Sequence, residues 1–310
     1  MIIVTIDGTR PDKLLEANTP NIDEIVQDAA YSWSAQTVPP YRTTEGHASL
    51  FTGAPPEVHR YTYPGMTVKA ETIFQVFENA GKRTALIDGK GGRISGLEVG
   101  VSYVKNNVNY RWLPGAPSYQ PGSDDKNGDI RVMENAIQIF VEDRPTLMFV
   151  LLPMVDTAGH IYGHTSDEYL QAIEKADQAI EMLIDNLKDL GIYEDTLLVI
   201  VADHGMDGTS HTGRSEAKTI PLIMRASGVP VGDLGENLGE VSIKDVAPTI
   251  TSLFGLRAPE NAEGIVLFEI QIEEEALPTT TILAAAVVVV AIVIIGAFLF
   301  RRKQKTFRLG

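Results

Sequence analysis

The sequence has 310 residues, of which 44% are hydrophobic, enough for one large α/β domain with a substantial core. It contains no cysteine, which excludes disulfides, thiolate metal sites and a cysteine nucleophile. The formal net charge of −15 argues against a nucleic-acid polymer as a partner, because such a polymer is itself an anion.

Short apolar runs alternate with helical patterns along the chain. Residues 2–6 predict a strand, and residues 19–30 predict a helix with Thr19 as its cap and Pro20 at its first position. Further strands are predicted at 83–89, 145–153, 196–203 and 220–226, and further helices at 44–53, 71–81, 129–143, 166–191 and 243–255. Strands that are apolar throughout and alternate with helices indicate an α/β fold with a mostly parallel central sheet and helices on both faces.

The composition changes in two regions. Residues 89–127 are rich in Gly, Asn, Pro and Tyr and predict a loop-rich insertion within a domain that spans residues 1–270. After a short stalk at 271–280, residues 281–300 carry no charge, and as a helix they would span about 30 Å, the thickness of a bilayer core. The basic segment 301–310 then predicts a cytoplasmic tail, which places the domain outside a cell membrane crossed once by a transmembrane helix.

The start of the chain does not fit export. The first residues read as a core strand, without the charged region or cleavage site of a leader. Either the start of the protein lies upstream, or the protein is tail-anchored with its domain in the cytoplasm. The basic segment 301–310 favours the first reading.

Acids and histidines gather where predicted strands end. The strand runs beginning at residues 2, 147 and 197 lead into Asp7, Asp156 and Asp203, and ligands bind at this edge of an open parallel sheet. Four histidines follow the last two acids closely, namely His160, His164, His204 and His211. Oxygen and imidazole ligands suit zinc, or manganese and iron less tightly. Without thiols, the pattern favours an open catalytic site for two divalent metal ions.

A candidate nucleophile lies in the stretch "PPYRTTEGHASLFTG". Thr43 and Thr44 stand where a loop becomes a helix, and free amides at a helix start bind anions such as phosphate. A threonine hydroxyl is a poor nucleophile unless its pKa is lowered, which a bound metal can do. By itself such a threonine is typical of a helix cap. Its interpretation as a nucleophile therefore depends on the nearby acids and histidines.

Six separated blocks resemble the alkaline phosphatase superfamily, in its type I phosphodiesterase/nucleotide pyrophosphatase branch. They are "IDGTRPD", "TPNIDEI", "TTEGHASLFTG", "DTAGHIYG", "LLVIVADHGM" and "KDVAPTITSLFG", and they occur in the order of the family. The resemblance covers residues 2 to about 268 and implies an alkaline-phosphatase-like fold and a phosphoric (di)ester hydrolase.

The resemblance also implies roles for single residues. It assigns one metal ion to Asp156, His160 and His211, and the other to Asp7, Asp203 and His204 with Thr43 as a further ligand. The family's nucleophile stands four residues before the motif histidine, which is His47 here and selects Thr43 over Thr44. His164 matches no expected ligand and is interpreted as a support to the site or a substrate contact. The implied mechanism passes through a phospho-threonine intermediate.

Two departures bear on the substrate. The proline common in this branch between nucleophile and histidine is absent, and so is the asparagine that follows the "PE-x-H" turn in nucleotide-cleaving members. Six aromatic residues are expected either to stack on a base of the substrate or to pack the loops together. They are Tyr61, Tyr63, Tyr103, Tyr110, Trp112 and Tyr119. The expected substrate is a small phosphodiester, a nucleotide or a lipid headgroup. A phosphoethanolamine-type transferase, a phosphomonoesterase and a non-catalytic binding protein are the alternatives.

Overall fold

A seven-stranded mixed sheet forms the centre of the protein. The computed structural model describes residues 1–101 and 128–269. In chain order the strands are β1 Ile2–Ile6, β2 Ala30–Gln36, β3 Thr84–Asp88, β4 Leu147–Leu152, β5 Leu198–Val201, β6 Thr219–Arg225 and β7 Gly232–Asp233. The helices are α1 Pro11–Glu16, α2 Pro20–Gln27, α3 Thr43–Thr52, α4 Pro56–His59, α5 Ile73–Asn79, α6 Gly128–Asp143, α7 Met154–Tyr162, α8 Asp167–Asp189, α9 Leu234–Leu238 and α10 Val246–Leu253.

The strand order is β3-β4-β1-β5-β6-β2-β7. Strands β3, β4, β1 and β5 are mutually parallel, whereas β6 runs antiparallel to both of its neighbours. The predicted α/β fold with a mostly parallel sheet is therefore confirmed. The parallel part brings the carboxyl ends of β3, β4, β1 and β5 to one edge of the sheet.

Helices cover both faces of the sheet, so the central strands are buried on each side. Ile3, Phe149 and Val199 belong to one apolar core, which α3, α5 and α10 complete. Ile2 and Val4 point the other way, into a core completed by α2, α6 and α8. Fully burying a side chain of this size contributes roughly 1.5–3 kcal/mol relative to exposure. This two-sided burial explains why these strands lack polar alternation.

Some elements differ from the sequence prediction. Strand β2 was not predicted, because its sequence "AYSWSAQ" is half polar and only its pairing with β6 reveals it. The helix predicted at 19–30 is the shorter α2, and Thr19 occupies the cap position without a side-chain hydrogen bond. Asp177 of α8 instead accepts hydrogen bonds from the free backbone N–H groups of Asn21 and Ile22.

Several predictions concern residues that the structure does not describe. They are the stalk, the span at 281–300, the basic tail, and the aromatic residues Tyr103, Tyr110, Trp112 and Tyr119. Within the described ranges, no helix combines the length and apolarity that crossing a bilayer requires. The predicted insertion at 89–127 is described only over residues 89–101, which contain neither helix nor strand.

Candidate metal and phosphoryl-transfer site

The three predicted acids converge at one edge of the sheet because β4, β1 and β5 are adjacent and parallel. Asp7 follows β1 directly, and Asp203 lies two residues after the end of β5. The prediction for Asp156 was wrong in one respect, since β4 ends at Leu152 and Asp156 lies in the first turn of α7. All three carboxylates are buried.

The helix α7 explains the pairing of Asp156 with His160. Residues four apart lie on the same face of a helix, and His160 Nε2 is 3.4 Å from Asp156 Oδ1. His211 reaches the same carboxylate from the loop after β5, with Nε2 3.7 Å from Asp156 Oδ1. This helix was not predicted from sequence, because Gly159 within it and Gly163 directly after it weaken the helical pattern.

Backbone carbonyls orient the three predicted histidine ligands. His160 Nδ1 contacts Thr209 O at 2.9 Å, His204 Nδ1 contacts Gly205 O at 2.8 Å and His211 Nδ1 contacts Tyr41 O at 2.6 Å. A carbonyl can only accept, so each Nδ1 carries the proton and donates it. In the neutral ring the Nε2 lone pair is then free, which is the arrangement of histidines that bind metals.

Three buried carboxylate oxygens have no hydrogen-bond partner among the described residues: Asp7 Oδ1, Asp156 Oδ1 and Asp203 Oδ2. All three lie near His204 Nε2, at 3.5 Å, 3.9 Å and 3.5 Å respectively. Leaving a buried carboxylate oxygen without a partner is costly unless a cation compensates it. The cluster therefore fits bound divalent cations.

Two groups of ligand atoms are compact enough to hold a cation, with all atoms of each group within 4.8 Å of one another. They are Asp156, His160 and His211, and Asp7, Asp156 and His204. The first is the set that the family resemblance implies. The second contains Asp156 where the resemblance places Asp203, so Asp156 lies between the two groups. Asp203 stays close to the second group through its contact with His204.

Thr43 is the better placed of the two candidate nucleophiles. It begins α3, and its hydroxyl is 3.3 Å from His204 Nε2. The hydroxyl of Thr44 instead donates a hydrogen bond to the buried carboxylate of Glu45, which also pairs with Arg42. Thr43 therefore presents its oxygen to the predicted ligands, while Thr44 is engaged within the first turn of the helix.

A glycine allows α3 to approach the end of β5. A Cβ atom on Gly46 would lie 2.4 Å from the backbone oxygen of Asp203, which is closer than side-chain carbons come. One residue further on, His47 donates its Nδ1 proton to Thr43 O at 2.8 Å and lies 3.4 Å from Asp203 Oδ2. This contact joins the first turn of α3, which carries Thr43, to one of the predicted ligands.

The buried charges shift the pKa values of the acids. Burial, together with the charge of Asp203, raises the pKa of Asp7 to about 7. Burial acts in the same direction on Asp156, but Lys90 and His204 outweigh it and lower the pKa of that carboxyl to about 2. Burial and the neighbouring His204 lower the pKa of His211 to about 4, so this ring is neutral and able to act as a ligand at neutral pH.

The sequence reading missed Lys90, whose ammonium group lies inside the cluster. Its Nζ donates to Asp7 Oδ2 at 2.8 Å, to Asp156 Oδ2 at 2.7 Å and to Thr43 Oγ1 at 3.1 Å. The signal was present, because Lys90 follows β3, which belongs to the same parallel part of the sheet as the strands before the acids. The sequence prediction used the carboxyl ends of β4, β1 and β5, and the end of β3 reaches the same edge.

Two other predicted residues have defined contacts. His164 accepts a hydrogen bond from Gly208 N at 2.8 Å, in the loop that follows β5, which agrees with a supporting role. Tyr61 is buried and donates its hydroxyl proton to Ser95 O at 2.7 Å, so it packs the loops together. Tyr63 is 70% exposed and remains accessible to a ligand.

Comparison with known proteins shows relatives over most of the domain. A sequence model of the type I phosphodiesterase / nucleotide pyrophosphatase family matches residues 1–222. Venom phosphodiesterase 2 of Crotalus adamanteus is 25% identical over 231 residues, covering 68% of this chain and 27% of the venom protein. Human ectonucleotide pyrophosphatase/phosphodiesterase family member 1 is 26% identical over 240 residues, which cover 66% of this chain and 23% of the human protein. The chain thus spans about a quarter of the length of these relatives.

Solved structures show the same fold at lower identity. Wild-type alkaline phosphatase PafA matches with a TM-score of 0.68 and 13% identity, covering 86% of this chain and 97% of PafA. Murine ectonucleotide pyrophosphatase/phosphodiesterase 5 matches with a TM-score of 0.63 and 14% identity, and the match covers 83% of this chain and 95% of the murine protein. The predicted alkaline-phosphatase-like architecture is confirmed. Because the family match extends over more than half of the sequence, the chain belongs to the type I phosphodiesterase / nucleotide pyrophosphatase family.

Proposed function

We propose that this protein is a metal-dependent phosphodiester hydrolase in which Thr43 is the nucleophile. The observation that carries the proposal is the position of the Thr43 hydroxyl, 3.3 Å from His204 Nε2. Three buried carboxylate oxygens that have no hydrogen-bond partner in the described ranges lie within 3.9 Å of the same nitrogen. Phosphoryl transfer needs an aligned nucleophile and fixed charges more than covalent help from the protein, and this cluster offers both.

The predicted ligands would hold two divalent metal ions. Asp156, His160 and His211 form one set, and Asp7, His204 and Thr43 with Asp203 or Asp156 form the other. Oxygen and nitrogen donors without sulfur favour zinc, with manganese or iron as alternatives. Cations bound there supply Lewis-acid stabilisation of the charge on the phosphoryl oxygens.

The chain's own groups account for the bond changes. Thr43 releases its proton to solvent water as Oγ attacks phosphorus, the bond to the leaving oxygen breaks, and that oxygen takes up a proton from solvent and departs as an alcohol. A water molecule then attacks the phospho-threonine and loses one proton to solvent, the Oγ–P bond breaks, and Oγ takes up a proton to restore the hydroxyl. The amides that begin α3 face the phosphoryl group through both steps and stabilise its negative charge. Two displacements predict net retention of configuration at phosphorus.

The relatives support a phosphodiester as the substrate class. Their names include venom phosphodiesterases and ectonucleotide pyrophosphatases, and one structure of murine member 5 contains AMP. The asparagine expected after the "PE-x-H" turn is absent from this chain, so we leave the group attached to the phosphate open among nucleotides, other small diesters and lipid headgroups. We also retain residues 281–300 as a single membrane anchor with the domain outside, supported by the sequence alone.

Thr43→Ala and Thr44→Ala form a matched pair that tests the proposal. With zinc or manganese present, we expect Thr43→Ala to lower the turnover of an aryl phosphodiester at least 10³-fold, because the nucleophile is lost. Thr44→Ala is expected to stay within about tenfold of wild type, because its hydroxyl contacts Glu45 instead.

A trapping experiment identifies the intermediate directly. Acid quenching during turnover of a substrate labelled on phosphorus should leave label on residue 43 in wild type and none in Thr43→Ala. Metal content is measured in parallel, to show that the variant retains its cations. Full turnover by Thr43→Ala, or label on Thr44, would reject Thr43 as the nucleophile.

A further inference from the structure

We propose that Lys90 is the side chain that binds the substrate's phosphoryl oxygens beside Thr43 and favours phosphoryl groups with a second negative charge. This inference rests on the proposed function and refines its substrate class. The first observation is position: the Lys90 ammonium lies 3.1 Å from the oxygen that would attack phosphorus. A donor this close to the nucleophile also lies within reach of the group that the nucleophile attacks.

The loop that carries Lys90 is fixed against the sheet. Strand β3 ends at Asp88, whose carboxylate accepts hydrogen bonds from Lys90 N at 2.7 Å and Gly92 N at 2.9 Å. A Cβ atom on Gly89 would lie 2.4 Å from the backbone oxygen of Leu151, so this segment packs directly on β4. The lysine side chain therefore extends from a rigid base, which differs from the setting of an ordinary surface lysine.

The surroundings of Lys90 indicate what it can bind. Its side chain is only 14% exposed, and among the described residues its ammonium group donates to Asp7, Asp156 and Thr43. Both acids belong to the proposed metal ligands, and a carboxylate that binds a cation attracts an ammonium group less strongly. The anionic partner then left beside Lys90 is the phosphoryl group at Thr43.

Charge determines which substrates benefit most. A phosphodiester carries one negative charge on its non-bridging oxygens, whereas a phosphomonoester carries nearly two at neutral pH. A fixed ammonium group interacts more strongly with the second. Lys90 should therefore shift the balance toward monoesters.

The test compares Lys90→Met with Lys69→Met, which removes the same charge from an exposed position. Metal-loaded proteins are assayed on an aryl monophosphate and an aryl phosphodiester, and phosphate affinity is measured by calorimetry. For Lys90→Met we expect kcat/KM to fall at least 100-fold on the monoester and about tenfold on the diester, with phosphate Kd at least tenfold weaker. Lys69→Met should match wild type, and metal content should be unchanged in both.

Three results would overturn the inference. They are phosphate affinity within twofold of wild type in Lys90→Met, equal losses on the two substrates, and loss of bound metal in that variant. Lack of turnover of either substrate by the wild-type protein would count against the proposed function instead. Calorimetry with inorganic phosphate would then still decide whether Lys90 binds a phosphoryl anion.

Discussion

The proton on Nδ1 controls the chemistry of the histidines in this site. At His160, His204 and His211 a backbone carbonyl accepts a hydrogen bond from Nδ1–H, which leaves the lone pair on Nε2 facing the acids. His204 and His211 are also stacked, with ring centroids 3.7 Å apart, which disfavours charge on both rings at once. These residues are set for cation binding by contacts that the sequence motif does not contain.

His59 provides a test of burial at the residue scale. It lies at the end of α4, is fully buried, and its Nδ1 accepts a hydrogen bond from Tyr61 N at 3.0 Å. Burial lowers the pKa of its ring to about 4, so between pH 6.5 and 4 the unfolded chain binds a proton that the folded chain excludes. As the pH is lowered through this window, the free energy of unfolding should therefore decrease. The titration of His59 accounts for on the order of 3 kcal/mol of this decrease.

The substitution His59→Asn removes that titration while its side-chain oxygen can still accept from Tyr61 N. We expect the variant to be less stable at pH 7, because it fills less space, but to lose less stability on acidification. Urea unfolding of both proteins at several pH values between 7 and 4.5 measures the difference. Parallel pH profiles in the two proteins would show that His59 stays solvated or protonated in the fold.

Two short helices position the functional groups at the element scale. Helix α7 places Asp156 and His160 on one face, and α3 places Thr43 one turn before His47. Helix α3 is buried along its whole length and meets the backbone of Asp203 at Gly46, so small displacements move Thr43 relative to the acids. The site therefore depends on how closely these helices dock against the sheet.

Gly46→Ala tests this docking. The added methyl group would overlap the backbone oxygen of Asp203, which cannot rotate away, so we expect α3 to shift outward at a cost of about 1–3 kcal/mol. Activity on an aryl phosphodiester should fall at least tenfold, because Thr43 moves with the helix. Thermal unfolding and rate measurements on the same preparations provide the comparison.

The control is Gly159→Ala, the same substitution at another buried helical glycine near the site. Its Cβ would first meet the flexible end of the Met206 side chain, 2.6 Å away, which can rotate. We expect a smaller loss of both stability and rate than in Gly46→Ala. Equal effects in the two variants would mean that crowding in general, and not the backbone contact of α3, limits the site.

At the scale of the whole molecule, the buried charges of the site affect the stability of the folded protein. Three buried carboxylates meet in a protein of net charge −15, and burial, together with repulsion from Asp203, raises the pKa of Asp7 to about 7. In the metal-free protein Asp7 holds a proton that the unfolded chain releases, so stability falls as pH rises from about 4 to 7. Bound cations reverse this penalty, because they favour the ionised acid.

Chelation should therefore destabilise the folded protein, and more so in alkali. We expect EDTA to lower Tm by roughly 5–10 °C at pH 8, as expected for loss of tightly bound cations, and by less at pH 6. The variant Asp7→Asn should have a smaller EDTA effect and a higher Tm than wild type in the chelated state. Thermal scans that EDTA leaves unchanged in wild type would argue against resident metal ions.

The sequence by itself determined the fold class, the family and the set of predicted ligands. Short uninterrupted apolar runs such as residues 147–152 are typical of strands buried on both faces, and this pattern is local. Each predicted ligand except His211 also lies within one of the recognisable blocks. Strand β2 and helix α7 were missed because their local signals are weak and their partners are distant in the chain.

The tertiary structure alone decided the positions of Lys90, His47 and Asp156 relative to one another. Lys90 is 47 residues from Thr43 and 66 from Asp156, and only the adjacency of β3 and β4 brings these groups together. The position of Asp156 between two ligand sets likewise depends on distances that span the sheet edge. Sequence patterns report which face of an element is buried, whereas contacts between elements depend on strand order and packing, which no local pattern encodes.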